Sequence, residues 1–432
     1  MWEYIPVFVL VLSFLCLLSI GTPVAWSIAI SATLTMLVSI PAIPAFTTVA
    51  QRMGTGLDSF ALLAIPFFVL SGELMNKGGI AHRLIAFAKT LVGALPGGLA
   101  LINVIAAMLM GAIAGSAMAS ASAMGSILGP EMEKEGYSKE FGAAVNITSA
   151  TTGLIIPPSN ILIVYSLASG GVSIAALFLA GYIPGILTGL FLMGVAMIWA
   201  KKRNYKIGKR STFRQMVKTF VDAFPSLMLL VVVIGGIVAG IFTATEASAI
   251  AVLYTLVLGF IYKEIKTSDL PSILLSSSAT TAIVMLLIGA SMSMSWVMSY
   301  ENIPQDISSA LLGVSDNKFV ILLIINLLLL FVGIFMDMTP AVLIFTPIFL
   351  PVVTKLGLDP THFGIIMILN LCIGLCTPPV GSVLFVGVGI AKTTIEKVVR
   401  PLLPLFIAMI IALFLVTYIP QLSLWLPELF GY

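Results

Sequence analysis

Long apolar runs separated by short polar or Gly/Pro interruptions make up most of the chain. Runs over 4–20 and 24–40 flank Gly21-Thr22-Pro23 and read as two spans or one broken pair. The stretch around Pro41 and Pro44 reads as a turn. A further run, 57–75, carries Asp58, Pro66 and Glu73. Residues 80–93, with His82, Arg83 and Lys89, have the pattern of an amphipathic helix lying along a membrane interface. Residues 97–128 are apolar, but their middle, Gly111–Gly125, consists mostly of Gly, Ala and Ser. Small residues permit close backbone approach, and the stretch is predicted to be a re-entrant hairpin. A charged loop at 131–140 precedes 141–169, and 172–200 is a span that ends in a basic loop.

Beyond that loop the pattern begins again. An apolar run from Leu227 to Ile241 leads through Thr243-Ala-Thr-Glu-Ala-Ser-Ala249 to Tyr262, and 273–298 answers 57–75. A second hairpin is predicted over 322–350, with Gly333–Pro340 at its tip, and a last span over 402–420. The anchors that fix this register are Gly153-Leu-Ile-Ile-Pro-Pro158 and Gly374-Leu-Cys-Thr-Pro-Pro379, which are 221 residues apart (374 − 153). Thr22 and Thr243 share that offset (243 − 22), and Phe141-Gly142 precedes Phe363-Gly364 by 222 (363 − 141). A nearly constant offset is the mark of internal duplication. Two adjacent prolines remove two backbone donors and clash with the preceding turn, so neither segment continues as a helix. Lipid cannot satisfy the freed backbone groups; protein, water or a ligand must. Paired breaks in corresponding places point to a transport site near the bilayer midplane.

Composition agrees. The 432 residues are 59% hydrophobic and 9% charged, against about 25% charged in soluble domains. The chain is expected to be an all-α polytopic membrane protein. Its basic residues concentrate in Lys201, Lys202, Arg203, Lys206, Lys209, Arg210, Arg214 and Lys218, which marks that loop as cytoplasmic; a nucleic-acid patch is the weaker reading. No basic, cleavable segment precedes the first apolar run, which reads as a retained span. The first repeat is assigned to 1–200, the basic loop to 201–221 and the second repeat to 222–432. Within them, 97–169 and 318–392 are each hairpin plus broken helix, 4–93 and 222–300 are scaffold and arm helices, and 400–420 is the final helix. An odd number of crossings per repeat would make the two inverted. Cys16, Cys372 and Cys376 read as packed thiols, and the two histidines, His82 and His362, exclude a multi-histidine metal site.

Four acids fall in apolar elements: Asp58, Glu73, Glu246 and Asp337. An intramembrane carboxylate is costly and faces a cavity, a cation or a donor. Asp337, beside Thr339 at a hairpin tip, suits a hard cation such as Na⁺ together with carbonyls from a broken helix, and it also suits a helix N-cap. Glu246 reads equally as a hydrogen-bond partner, and Asp58 and Glu73 as interfacial residues. In the first tip, Ser116, Ser120 and Ser122 either pack helices or face substrate. Ser159 and Asn160 either cap the second half-helix or touch substrate. The positive ends of half-helices suit a substrate carboxylate. Among rival classes, a membrane-embedded enzyme lacks a His cluster, a G-x-S-x-G motif or an Asp-rich metal pair. A passive channel calls for polar stripes rather than broken helices.

The chain resembles the large membrane subunit of TRAP (tripartite ATP-independent periplasmic) transporters almost end to end. The resemblance rests on Leu62–Phe68 with Ser71-Gly72, the 111–125 tip, both Gly-Leu-x-x-Pro-Pro segments, Phe242–Ser248 and Met336–Pro340. It leans toward the sialic-acid branch. The resemblance implies an elevator-type, Na⁺-coupled importer of an organic acid in the bacterial inner membrane. It also implies a small Q-type membrane subunit and a periplasmic substrate-binding protein as partners. Carried over by motif, at least two Na⁺ would sit where tip meets break: one at Ser116, Gly153 and Pro157, the other at Gly333, Asp337, Thr339, Gly374 and Thr377. Ser120, Ser122, Ser159 and Asn160 would face substrate. Many relatives have an aspartate where this chain has Ser120, so no carboxylate contact is expected in the first tip. Alternatives within the resemblance are a C4-dicarboxylate or other carboxylate cargo, and a stand-alone Na⁺/dicarboxylate symporter.

Overall fold

The structure is a computed structural model that describes residues 5–208, 210–315 and 317–432. Among the described residues all regular structure is helical. Helices α1 (Ile5–Ser19) and α2 (Val24–Ser39) are separate, because Gly21 takes a φ of +83° between them. The next span is interrupted: α3 (Ala42–Leu57) ends at Asp58, a 3₁₀ turn covers Phe60–Leu63, and α4 (Ala64–Lys77) follows. Amphipathic α5 (Ile80–Val92) leads into the first hairpin, α6 (Gly98–Ala114) and α7 (Ala117–Lys134). The reversal is only two residues long. Gly115 adopts φ +61°, and the Ser116 hydroxyl accepts the Ala119 N–H at 3.2 Å to start α7. The second arm therefore reaches Lys134, absorbing part of the segment expected to be a charged loop.

The first broken helix is α8 (Lys139–Thr152) and α9 (Asn160–Ala168), after which α10 (Ile174–Lys202) crosses back. The basic linker is shorter than expected, because Thr212 and Gln215 form a capping box that starts α11 (Phe213–Val238) inside it. The second set continues with α12 (Ala244–Ile261), α13 (Leu270–Tyr300), α14 (Ile303–Val314), hairpin α15 (Lys318–Phe335) and α16 (Met338–Lys355), broken helix α17 (Pro360–Gly374) and α18 (Ser382–Ile390), and α19 (Ile395–Tyr418). The starts of α7, α8 and α10 recur at α16, α17 and α19 after 221 residues each (338 − 117, 360 − 139, 395 − 174). Two elements break the register. Continuous α13 stands where the first set is split into α3 and α4, and α20 (Gln421–Leu429) has no counterpart.

Among the described residues, eight helices are long and apolar enough to cross a membrane. Many outward side chains, Phe8, Ile43, Leu275 and Phe331 among them, are large, apolar and exposed, as a lipid-facing surface requires. The two sets interdigitate. Helix α10 packs on α17 and α19, α19 on α8, α2 on α13 and α4 on α12. The hairpins cross over too: α7 lies against α18, and α16 against α9. Phe141, Tyr165, Phe178 and Phe363 are wholly buried between these layers.

Candidate substrate and ion site

Each hairpin meets its broken helix glycine to glycine. A Cβ on Gly153, which ends α8, would lie 2.6 Å from the Gly111 Cα of α6. A Cβ on Gly374, which ends α17, would lie 2.6 Å from the Gly333 Cα of α15. Backbone contact this close brings main-chain polar groups of tip and break together without intervening side chains. Both Pro-Pro segments interrupt the helix; Pro157 and Pro158 are buried, whereas Pro378 is half-buried and Pro379 exposed. The two broken helices also touch directly: the Cys372 thiol donates to the Thr151 carbonyl at 3.2 Å, and Cys376 Sγ lies 3.4 Å from Thr151 Oγ1. All three cysteines are free.

Helix α8 is the least apolar of these elements, yet Phe141 through Thr152 are all buried. Its hydroxyls turn back on their own helix: Thr148 donates to the Ala144 carbonyl at 2.9 Å and Thr152 to the Thr148 carbonyl at 3.0 Å. Asn146 spans to the first hairpin, donating to the Ala121 carbonyl at 2.7 Å. In the second half, Asn370 donates to the Asn326 side-chain oxygen at 2.7 Å and so ties α17 to α15. These bonds fix the breaks against the hairpins from the side away from lipid.

A cavity of about 230 Å³ opens between the two tips, the two breaks and the α4–α13 wall. Gly115 and Ser116 line it from one tip, Asp337 and Thr339 from the other, and Asn160 and Ser382 from the starts of the second half-helices. Asn160 and Ser382 share a register, 222 residues apart (382 − 160). Asn160 Oδ1, Ser382 Oγ and Asn76 Oδ1 are buried without a hydrogen-bond partner. Unpaired buried oxygens are costly unless a ligand or water meets them. None of the described lining side chains is Lys, Arg or His.

Asp337 stands at the N-cap position of α16 but makes no capping hydrogen bond, and its side chain is exposed to the cavity. Thr377 lies just past Gly374 and donates to the Ile373 carbonyl at 2.8 Å. Pro157 sits in the first break, packed beside Gly181 of α10. Three of the serines expected to face substrate do not line the cavity. Ser120 is buried and donates to the Ala107 carbonyl at 3.3 Å, which joins the two arms of its hairpin. Ser122 is exposed on another face of α7, and Ser159 is buried and bonded to the Leu154 carbonyl. Helical phase separates them: of the tip serines only Ser116, at the reversal, points inward.

Glu246 is a capping-box partner, accepting the Thr243 N–H at 2.8 Å at the exposed start of α12. Glu73, expected to be interfacial, instead lines the cavity, with Asn76 one turn on. The sequence offered one cue for Glu73: it lies on the same α4 face as Val69 and Asn76, at spacings of three and four.

Broken helices meeting paired hairpins around one cavity define a membrane transporter. The chain belongs to the tripartite ATP-independent periplasmic transporter family, DctM component, which it matches over residues 11–422. It is 57% identical to the uncharacterized protein YgiK of Salmonella typhimurium, over 100% of this chain and 99% of that one. It is 39% identical to the C4-dicarboxylate TRAP transporter large permease protein DctM of Rhodobacter capsulatus, covering 96% and 98% of the two chains. It is 40% identical to the sialic acid TRAP transporter large permease protein SiaM of Vibrio cholerae, covering 89% and 90%. Among solved structures, the YdaH transporter of Alcanivorax borkumensis shares the fold, with a TM-score of 0.65 at 13% identity over 86% of this chain and 87% of that one. The chain is therefore a multi-pass inner-membrane transport protein and not an enzyme. Large subunits of this family work with a small membrane subunit and a periplasmic binding protein.

Proposed function

We propose that the chain is the permease of a Na⁺-coupled importer for an organic acid, working by an elevator movement. The observation that carries this is the cavity itself: two hairpin tips and two helix breaks meet there, with unpaired oxygens, an uncapped carboxylate and no basic side chain among the described lining residues. An anion entering such a site needs cations to accompany it, and hard oxygen donors suit Na⁺. One Na⁺ would lie at the Ser116, Gly153 and Pro157 junction. A second would lie at the Gly333, Asp337, Thr339, Gly374 and Thr377 junction. Of the residues first assigned to substrate, Asn160 is retained and Ser382 joins it.

In this reading α6–α10 and α15–α20 move as one body against the scaffold α1–α5 and α11–α14, and the two repeats run in opposite senses through the bilayer. The basic linker at 201–218 marks the cytoplasmic end. Helix α5 packs on the start of α11, with Thr90 Oγ1 3.1 Å from Thr219 Oγ1, which supports an orientation with the α4 wall of the cavity toward that end. The proposed cargo is sialic acid. A C4-dicarboxylate is the second reading, favoured by the modest cavity volume and by relatives of similar identity that carry that acid. The test is uptake of each labelled acid into vesicles holding the permease and its small subunit, with the binding protein outside, with and without a Na⁺ gradient. Uptake indifferent to Na⁺, or uptake independent of the binding protein, would overturn it.

A further inference from the structure

The cavity wall that belongs to the scaffold is not neutral. Glu73 and Asn76 of α4 face the hairpin tips, and Glu73 has no cationic or hydrogen-bonding partner among the described residues. The duplication supplies its control. Adding 221 places Glu73 at Met294 and Asn76 at Val297, both on α13, the helix that packs against α16 of the second hairpin. Met294 and Val297 are buried and apolar. The scaffold thus presents a carboxylate where it faces one hairpin and a thioether where it faces the other. The cavity already holds Asp337 and has no basic side chain among its described lining residues, so an arriving carboxylate meets Glu73 with little to screen it.

We propose that Glu73 is a sidedness-determining residue: fixed on the scaffold, it opposes the anionic cargo only in the cytoplasm-open arrangement and so favours release there. The repulsion belongs to the wall rather than to the moving site. It is absent when the same site faces Met294, and loading from the periplasm proceeds unopposed. One charge placed asymmetrically between two otherwise matching repeats then speeds release on that side, while the gradients of cargo and Na⁺ set the direction of net transport. This inference rests on the transport reading above.

The experiment compares half-saturation for substrate on the two sides in vesicles holding the permease and its small subunit, with binding protein outside. Internal affinity is read from exchange of preloaded acid. Two unit charges across a small, partly wet cavity interact enough to change affinity roughly three- to tenfold. Glu73→Gln is expected to lower the internal half-saturation concentration by that factor and to leave the external value unchanged. Glu73→Asp is expected to retain the wild-type ratio. A purely structural role would shift both sides together and would not be rescued by aspartate. An unchanged internal-to-external ratio in Glu73→Gln, with wild-type Na⁺-dependent uptake intact, overturns the role of Glu73. Loss of Na⁺ dependence in the wild type would instead refute the transport reading. Met294→Glu gives the converse: where it folds, by size-exclusion profile, it should raise the external value, and a folded variant with an unchanged external value also counts against the proposal.

Discussion

Adding a single methyl group to Gly374 is a sharp test of the hairpin-to-break junction. An alanine there would place its Cβ 2.6 Å from the Gly333 Cα, 2.7 Å from its carbonyl carbon and 2.9 Å from its carbonyl oxygen. All three are backbone atoms, so no side chain can swing aside. Overpacking of this kind costs about 1–3 kcal/mol, and the entropy gained by replacing glycine in a chain offsets about 0.5–1 kcal/mol of that. The net, about 1–2 kcal/mol, is a factor of roughly 5–30 in population. The cheapest relief is for the α15–α16 tip to lift from α17, which separates Asp337 and Thr339 from the break and weakens the proposed second Na⁺ site. Uptake measured against Na⁺ concentration should show half-saturation raised by about that factor, with thermal stability lowered by a few degrees. Gly389→Ala is the internal control, because its Cβ would meet nothing within 4 Å in the following half-helix. If Gly374→Ala binds Na⁺ as the wild type does while Gly389→Ala does not, the junction is not the ion site.

The remaining expectations concern individual side chains. Asp337→Ala should abolish Na⁺-dependent uptake while the protein retains its elution profile, since the side chain caps nothing. Asn160→Ala and Ser382→Ala should each raise the substrate half-saturation concentration several-fold, whereas Ser122→Ala, on an exposed face away from the cavity, should leave it unchanged in the same assay. Thr243→Ala removes a capping box and should cost about 1 kcal/mol of stability. Its melting temperature should fall while its uptake per folded molecule is retained.

How far the sequence reveals this arrangement depends on what kind of signal each part leaves. The breaks were legible because two prolines have one backbone consequence in any context, and the duplication because Gly153 and Gly374 mark the same register. The tips were legible to within a few residues, since a run of Gly, Ala and Ser permits reversal at several points. Only the φ of Gly115 and the capping by Ser116 settle which one is used. The inward faces were not legible. Ser116, Ser120 and Ser122 are interchangeable by composition, and their roles part only through helical phase and tertiary partners. Glu73 and Glu246 likewise share a residue type in apolar surroundings, yet one faces the cavity and the other satisfies its own helix start. The interruption between α3 and α4 left only Pro66, in the first turn of α4, as a signal, and its partner stretch in α13 is continuous.

The way the scaffold grips the hairpins yields the last expectation. Helices α4 and α5 pack on α6, the first arm of its hairpin, while α13 and α14 pack on α16, the second arm of the other. Matching repeats would grip matching arms in a symmetric molecule, and the proposed elevator movement would exchange the two grips. The sequence carries a trace of both. Thr47, Gln51, Thr55 and Ser59 recur as Ser268, Ser272, Ser276 and Thr280 at a constant offset of 221 (268 − 47). Four-residue spacing puts Thr47, Gln51 and Thr55 on one face of α3 and Ser272, Ser276 and Thr280 on one face of α13, with Ser59 just past the end of α3 and Ser268 just before α13. All but half-buried Ser59 are exposed, and Thr280 ends its stripe at the cavity wall. In the proposed orientation the α13 stripe would run from the cavity toward the cytoplasmic end, and the α3 stripe toward the opposite end. Single cysteines at Ser276 and Thr55, in a background with Cys16 replaced, should therefore react with a charged thiol reagent in opposite conditions. Substrate with Na⁺ should shift both rates, and in opposite directions. Equal reactivity of both positions under every condition would mean that the stripes are ordinary surface, and that the exchange of grips does not occur.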